Sequence, residues 1–280
     1  MEDKEVFRPQ VSGRWLEQRQ WDNDVFAGIS VRTGGVSSGA YTSLNTGLHV
    51  GDAPESVVLN RERLARDANL PLKAWVMAEQ VHGAEVAWVR AEDAGRGTQT
   101  LETAVPGVDG LLTKETDIGL AGCFADCGPL YFYAPDQGII GLAHAGWRGA
   151  AQLITSRMIE AMVSAGAELE NLKAAIGPAI GAARYEVDDR VAQAFQTVLD
   201  DHQLQQALTD NEKGRYQLDM KEMNRQLLLS AGLRPENITK SMYCTAEEEA
   251  LFFSHRRDGG PTGRMSALIY REGQAQEEKS

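Results

Sequence analysis

Sulfur, positive charge and long apolar runs are all scarce in this 280-residue chain. Its three cysteines, Cys123, Cys127 and Cys244, are an odd number at low density, and the first two stand only four apart; a disulfide framework is therefore not expected, and a reducing, cytoplasmic compartment is. Lys and Arg number 28 against 40 Asp and Glu, and the net charge of -12 with a pI near 5.0 supplies no basic footprint for nucleic acid or an anionic membrane. No run approaches the roughly 18 apolar residues of a membrane-spanning helix. The opening Met-Glu-Asp-Lys-Glu lacks the apolar stretch of an export signal. Internal repeats and linkers long enough to divide the chain are also missing.

What is present is 42% hydrophobic residues and 24% charged ones, enough to bury the core of one large domain. The expectation is a single domain over 1–280, with its core at about 25–271 and a polar tail, 272–280, that frays. Short apolar runs predict strands at 25–31, 75–78, 86–89, 110–113, 119–124, 130–133, 139–143, 173–176, 238–243 and 264–270. Helical spacing predicts helices at 56–69, 147–165, 188–199 and 218–231. Strands crowd the middle and helices come singly, which points to an α+β class with sheets inside and helices outside rather than a regular βαβ series.

Chemistry concentrates in three places. His82 lies in the tight connection Gln80-Val81-His82-Gly83, Cys127 in Ala125-Asp126-Cys127-Gly128-Pro129, and His144 in His144-Ala145-Gly146-Trp147-Arg148-Gly149, where a strand-like run gives way to a helix-like one. Two imidazoles and a thiolate make a three-ligand zinc set with a position left for water or substrate. Cys127 and His144 alone would instead make a nucleophile and its base. A closed, structural zinc module would need a fourth ligand, for which Cys244 or His255 is available. Each residue taken singly also has a plain structural role, and spacing does not choose among these readings. Arg148 offers a planar fork for phosphate oxygens beside a helix start. Asp126 is a candidate orienter of a ligand histidine or a turn cap, and Asp109, Arg256, Arg257 and Asp258 are expected to form a structural network.

The motifs Gln80-Val81-His82-Gly83, Asp109-Gly110, Ala125-Asp126-Cys127-Gly128-Pro129, His144 to Gly149, Ile176-Gly177-Pro178-Ala179-Ile180 and Phe252 to Asp258 with Thr262-Gly263-Arg264-Met265 resemble the YfiH/YlmD family. Its members go under the names laccase-domain proteins, peptidoglycan editing factors and multicopper polyphenol oxidases, and the likeness is to its YlmD branch in Bacillus-type bacteria. It runs from about Phe26 to Tyr270. The resemblance implies a four-layered α/β/β/α domain related to cysteine hydrolases, with a metal site on His82, Cys127 and His144. It implies purine nucleoside phosphorylase activity together with adenosine deaminase and methylthioadenosine phosphorylase activities, Zn²⁺ as cofactor with Cu²⁺ as the alternative, and purine nucleoside and phosphate as small-molecule partners. Arg32, in Arg32-Thr33-Gly34-Gly35, and Asn45, in Ser43-Leu44-Asn45, match family positions that line the cleft and are the implied substrate contacts, with Arg148 as the third. Two departures stand out: Gly128 where leucine commonly precedes the proline, and His255 where tyrosine is frequent.

Three other readings fit the same residues. One is a metal-independent cysteine hydrolase or amidase acting in cell-wall precursor editing, and another is the zinc-stabilised interaction module. The third is a copper-dependent polyphenol oxidase, which five histidines serve poorly. A monomer is the default expectation.

Overall fold

The computed structural model describes residues 5–211 and 214–273; residues 1–4, and 274–280 of the polar tail, lie outside the described residues. In chain order the strands are β1 (Phe7–Pro9), β2 (Trp15–Gln18), β3 (Val25–Ser30), β4 (Trp75–Met77), β5 (Val86–Trp88), β6 (Gly110–Thr113), β7 (Gly119–Phe124), β8 (Gly128–Ala134), β9 (Ile139–Ala145), β10 (Lys173–Ile176), β11 (Glu186–Asp188), β12 (Leu208–Asp210), β13 (Arg215–Leu218), β14 (Ile238–Lys240) and β15 (Met265–Arg271). The helices are α1 (Pro54–Asp67), α2 (Trp147–Ala151), α3 (Ile154–Ser164), α4 (Asp189–Gln196), α5 (Asp201–Ala207), α6 (Met220–Ser230) and α7 (His255–Asp258).

The strands form two six-stranded sheets, ordered β1-β2-β3-β15-β7-β4 and β14-β10-β8-β9-β6-β5, and a small sheet β11-β13-β12. Pairing is mostly antiparallel, with β4·β7, β5·β6 and β10·β14 parallel, so the fold is the mixed α+β type expected. Successive strand residues face opposite ways, and both large sheets are apolar on both sides. Ile29, Leu120, Ala267 and Ile269 of the first sheet meet Leu111, Tyr131, Ile140 and Leu142 of the second in one core. The alternate residues of the first sheet, among them Trp15, Phe26, Ala121 and Leu268, pack on Leu64 and Ala65 of α1. Those of the second, Leu130, Phe132, Ile139 and Ala143, pack on Met158 and Met162 of α3 and Leu228 of α6.

The predicted helix over 147–165 is two helices. Leu153 takes the left-handed conformation, φ 63°, and breaks the run there. Two destinations explain the break: Ala150 joins the cluster built around Val191, Phe195 and the small sheet, whereas Ile154, Met158 and Met162 lie on the large sheet. One straight helix presents one stripe, so serving both clusters requires a change of axis. Strand β9 also runs two residues further than predicted and includes His144, because Gly128↔Ala145 and Pro129↔His144 continue its ladder with β8. Among the described residues no helix is long and apolar enough to cross a membrane.

Candidate metal centre and its cavity

The register of the second sheet assembles the site. On β9, Ile140 and Leu142 face the core between the sheets, so His144, two residues on, points the same way; it is 6% exposed and its ring meets Phe124 edge-on at 5.5 Å. On β8, Tyr131 and Tyr133 share that face, and the same alternation carried back places Cys127 on it, half-buried, at the crossing from β7 in one sheet to β8 in the other. Asp126 makes that crossing with φ 84°, held by Thr245 Oγ1 and the Arg256 N–H, both donating to its carboxylate at 2.7 Å. A left-handed aspartate costs local strain, which its three anchors, including the Ile180 N–H on its carbonyl, over-determine.

His82 arrives from the loop between β4 and β5. Gln80 and His82 both have positive φ, 63° and 61°. The Gln80 carboxamide accepts from the Cys123 N–H at 2.7 Å and donates to the Cys123 carbonyl at 2.9 Å, imitating one more residue of strand alongside β7. Asp109 fixes the other side of the loop: its carboxylate, in a residue 2% exposed, accepts from the His82 N–H at 3.0 Å and the Gly83 N–H at 2.7 Å. The same carboxylate meets His144 Nδ1 at 2.8 Å. Asp109 thus aligns both histidines.

The result is one cluster. The donor atoms of His82, Cys127 and His144 lie within 4.8 Å of one another, and the two imidazoles meet edge to face at 4.7 Å. Two nitrogens and a sulfur at this separation suit a borderline-soft divalent ion, and the hydrogen bond to Asp109 commits His144 Nδ1 as donor and leaves Nε2 to coordinate. Among the described residues neither Cys244 nor His255 joins the group. Cys244 is buried and accepts from the Gly181 N–H at 3.3 Å. His255 lines the cavity above the site without reaching the cluster.

Electrostatics follow from the packing. Burial alone would push the Cys127 thiol up, but His144, then His82, outweigh it and bring Cys127 down to about 6. Burial alone would lower His144; the Cys127 thiolate and the Asp109 carboxylate raise it to about 9. Asp109 itself is held below the usual carboxylate range, since the bonds from His144 and Gly83 overcome its burial. Without metal the pair is a thiolate facing an imidazolium.

The cluster opens into a cavity of about 880 Å³ whose walls include Glu79, Leu101, Trp147, Arg148, Tyr185 and Arg264. Gly146 and Gly149 let α2 close on it: an added Cβ would stand 2.6 Å from Cys127 Sγ at Gly146 and 2.6 Å from the Gly83 carbonyl oxygen at Gly149. Arg148 is exposed at this wall, with its guanidinium 4.9 Å from the Trp147 ring centre. Arg32 is not among the lining residues; it stacks 4.7 Å over Phe253 and donates to the carbonyls of Thr42 and Glu249. Asn45 is fully buried and binds the backbone of Gly47 and Arg264 and the Asp52 carboxylate.

A family profile described as multi-copper polyphenol oxidoreductase laccase matches residues 26–272. The chain belongs to this laccase-domain family. Relatives include purine nucleoside phosphorylase YlmD of Geobacillus stearothermophilus, 50% identical over 88% of this chain and 89% of that protein, and purine nucleoside phosphorylase YlmD of Bacillus subtilis, 43% identical over 91% of each. The crystal structure of YlmD from G. stearothermophilus superimposes with a TM-score of 0.93 at 46% identity, covering 96% of this chain and 100% of that one. That of the Bacillus licheniformis hypothetical protein YfiH gives 0.91 at 39%, covering 95% and 99%.

In this laccase-domain chain Asp109 does not join the expected network with Arg256, Arg257 and Asp258. The structure instead sets Asp109 against both histidines, while Arg257 pairs with Asp258 at 2.8 Å and the Arg256 N–H bonds Asp126. The Asp126 side chain bonds Thr245 and Arg256 and neither His82 nor His144. The available signal was position: Asp109 stands one residue before β6, and the pair Gly110↔Ala143, carried one step further, sets it beside His144.

Proposed function

We propose that this chain is a zinc-dependent purine nucleoside phosphorylase whose metal ligands are His82, Cys127 and His144, and that it also deaminates adenosine and cleaves methylthioadenosine. One observation carries the reading: two imidazoles and a thiol converge within 4.8 Å beneath a cavity of about 880 Å³. That two relatives bear the name purine nucleoside phosphorylase supports the choice of reaction. A zinc ion held by these three groups supplies Lewis acidity and an open position for a phosphate oxygen or water.

The chain's own residues do the rest. Asp109 keeps the His144 proton on Nδ1 and the loop of His82 in place. Trp147 and Tyr185 offer aromatic surface for a purine ring, and Arg148 a fork for anionic oxygens. In phosphorolysis an oxygen of monohydrogen phosphate bonds to ribose C1′ as the N-glycosidic bond breaks; the bond's electron pair leaves on the base nitrogen, which takes the phosphate's proton. Asn45 would contribute by holding the backbone of Arg264, and Arg32 by bracing the Phe253 segment. We read residues 1–280 as one monomeric domain of the α/β/β/α class shared with cysteine hydrolases, a reading supported by α1, two packed sheets and α3 with α6 in succession. Its three free thiols support a cytoplasmic location.

A second reading draws on the same site. A half-buried thiol with a pKa of about 6 beside His144, itself backed by Asp109, has the arrangement of a metal-independent cysteine nucleophile. Metal-quantified protein incubated with inosine, adenosine and methylthioadenosine, with and without phosphate and chelator, separates the two. The phosphorylase reading expects free base and ribose 1-phosphate only with phosphate present, and loss of turnover on metal removal or in His82→Ala and Cys127→Ala. Activity untouched by chelator but abolished by alkylation of Cys127 would replace it with the hydrolase.

A further inference from the structure

Two side chains in the cavity wall converge on Gly47. A Cβ added there would stand 2.8 Å from Arg264 Cγ, so glycine lets Arg264 press in, and 3.4 Å from His49 Cε1, an ordinary contact; both side chains line the cavity. Arg264 donates through Nη1 to the carbonyls of Thr262 at 3.1 Å and Gly263 at 3.0 Å. Its Nε–H and Nη2 hydrogens have no partner, and no carboxylate pairs with it, among the described residues. The backbone of Arg264 is fixed on both sides, its N–H donating to Asn45 Oδ1 at 2.9 Å and its carbonyl accepting from Thr46 at 3.0 Å.

Behind this pair is a second guanidinium. Arg61, 1% exposed, donates to the carbonyls of Thr46, Gly97 and Thr98 and, at 3.8 Å, to Cys123 Sγ; it too has no carboxylate among the described residues. Neither guanidinium is paired with a carboxylate among the described residues, and Cys123, Cys127 and Asp126 act on Arg264 through space without bonding it, so the Nε and Nη2 edge of Arg264 stays available to an incoming anion. Partial burial of its ring, then Arg264 and Arg61, then His144 and His82 hold His49 down to about 4; the residue as a whole is exposed, and at neutral pH it is an uncharged ring at the cavity rim able to donate one hydrogen bond and accept another. Arg148, in contrast to the half-buried Arg264, is exposed, where water and salt screen its charge.

We propose that Arg264 and His49 form the oxyanion subsite that receives the phosphate co-substrate, with Arg61 as a buried source of positive potential and Asn45 as the positioning residue for Arg264. The inference rests on the phosphorylase reading and deepens it. The same subsite holds the phosphate group of ribose 1-phosphate after the glycosidic bond has broken. Arg264 Nε and Nη2 present two parallel donors to two phosphate oxygens, leaving another oxygen free to attack C1′.

Calorimetric titration of inorganic phosphate into the metal-loaded protein, without nucleoside, reads the subsite directly. Phosphate should bind the parent protein; Arg264→Gln should weaken it about 10- to 100-fold, the loss expected of a charge-assisted bond pair. Arg264→Lys should recover part of that, because it restores charge but not the fork. His49→Gln reads the same subsite should Arg264→Gln fail to fold, with a smaller loss expected. In turnover the KM for phosphate should rise far more than the KM for inosine. Unchanged phosphate affinity in the Arg264 and His49 variants, or no phosphate binding by the parent, overturns the subsite. Phosphate binding that is lost with Arg264, alongside nucleoside cleavage that consumes no phosphate, would sustain the subsite and refute the phosphorylase reading instead.

Discussion

Asp109 is the residue through which the His82, Cys127 and His144 cluster depends on the sheet, and replacing it tests that dependence. Its buried carboxylate makes three bonds, to His144 Nδ1 at 2.8 Å, the His82 N–H at 3.0 Å and the Gly83 N–H at 2.7 Å. Asp109→Ala frees both histidines at once. Asp109→Asn is the subtler change: Oδ1 serves both His144 Nδ1 and the His82 N–H while Oδ2 accepts from the Gly83 N–H, so an amide turned one way sets its NH₂ against His82 and moves the His144 proton to Nε2, and turned the other way sets it against the Gly83 N–H and displaces the loop. A hydrogen bond to a charged group contributes about 1.5–3 kcal/mol, and each 1.4 kcal/mol is tenfold. Metal affinity should therefore fall about 10- to 100-fold, the range found for partners that orient ligand histidines. Competition between the protein and a chromophoric chelator measures this, with circular dichroism confirming the fold. A folded Asp109→Asn protein that keeps parental metal affinity would refute the positioning role.

In metal-free protein, alkylation of Cys127 should follow a titration centred near pH 6 rather than the ordinary ~8.5 of a free thiol; mass spectrometry locates the adduct, and bound metal should suppress it. Stability of the metal-free protein should narrow on both sides of neutrality. The raised pKa of His144 contributes stability that is full below about 6.5 and is lost as pH rises through about 9. The depressed pKa of Cys127 contributes stability that is present above about 8.5 and is lost as pH falls through about 6; melting temperatures across pH 5–10 check both edges, and a flat profile contradicts the ion pair. Gly149→Ala, whose Cβ would meet the Gly83 carbonyl at 2.6 Å, should push the His82 loop off its seat, costing about 1–3 kcal/mol of stability and weakening metal binding with it. Parental values of both would show that α2 does not brace the loop.

Much of the sheet framework was legible because buried strands write themselves as short apolar runs between turn residues: β6, β7 and β10 begin and end where the sequence pattern does. Where local pattern failed, tertiary pairing decided. Gly128 and Pro129 carry little strand propensity yet belong to β8, because β9 supplies their ladder partners. The small sheet β11-β13-β12 escaped notice because its strands are only three or four residues long and each buries only one residue, Val187, Leu208 or Leu218, too few to write a readable alternation. The His-Cys-His trio was visible through motif resemblance, whereas Asp109 was assigned to the wrong neighbours, since its contact with His144 spans 35 residues and exists only in the β6·β9 register. Arg264 and His49 were hidden for a similar reason: Gly47, the residue that lets Arg264 press in beside His49, is silent as a local signal.

The central claim, that two imidazoles and one thiolate hold a single catalytic metal, is met most directly by X-ray absorption spectroscopy on the metal-loaded protein. The account predicts one sulfur scatterer at about 2.3 Å and nitrogen or oxygen scatterers at about 2.0–2.1 Å, with the sulfur lost in Cys127→Ala. A spectrum without sulfur in the parent protein, or one unchanged in Cys127→Ala, would contradict it.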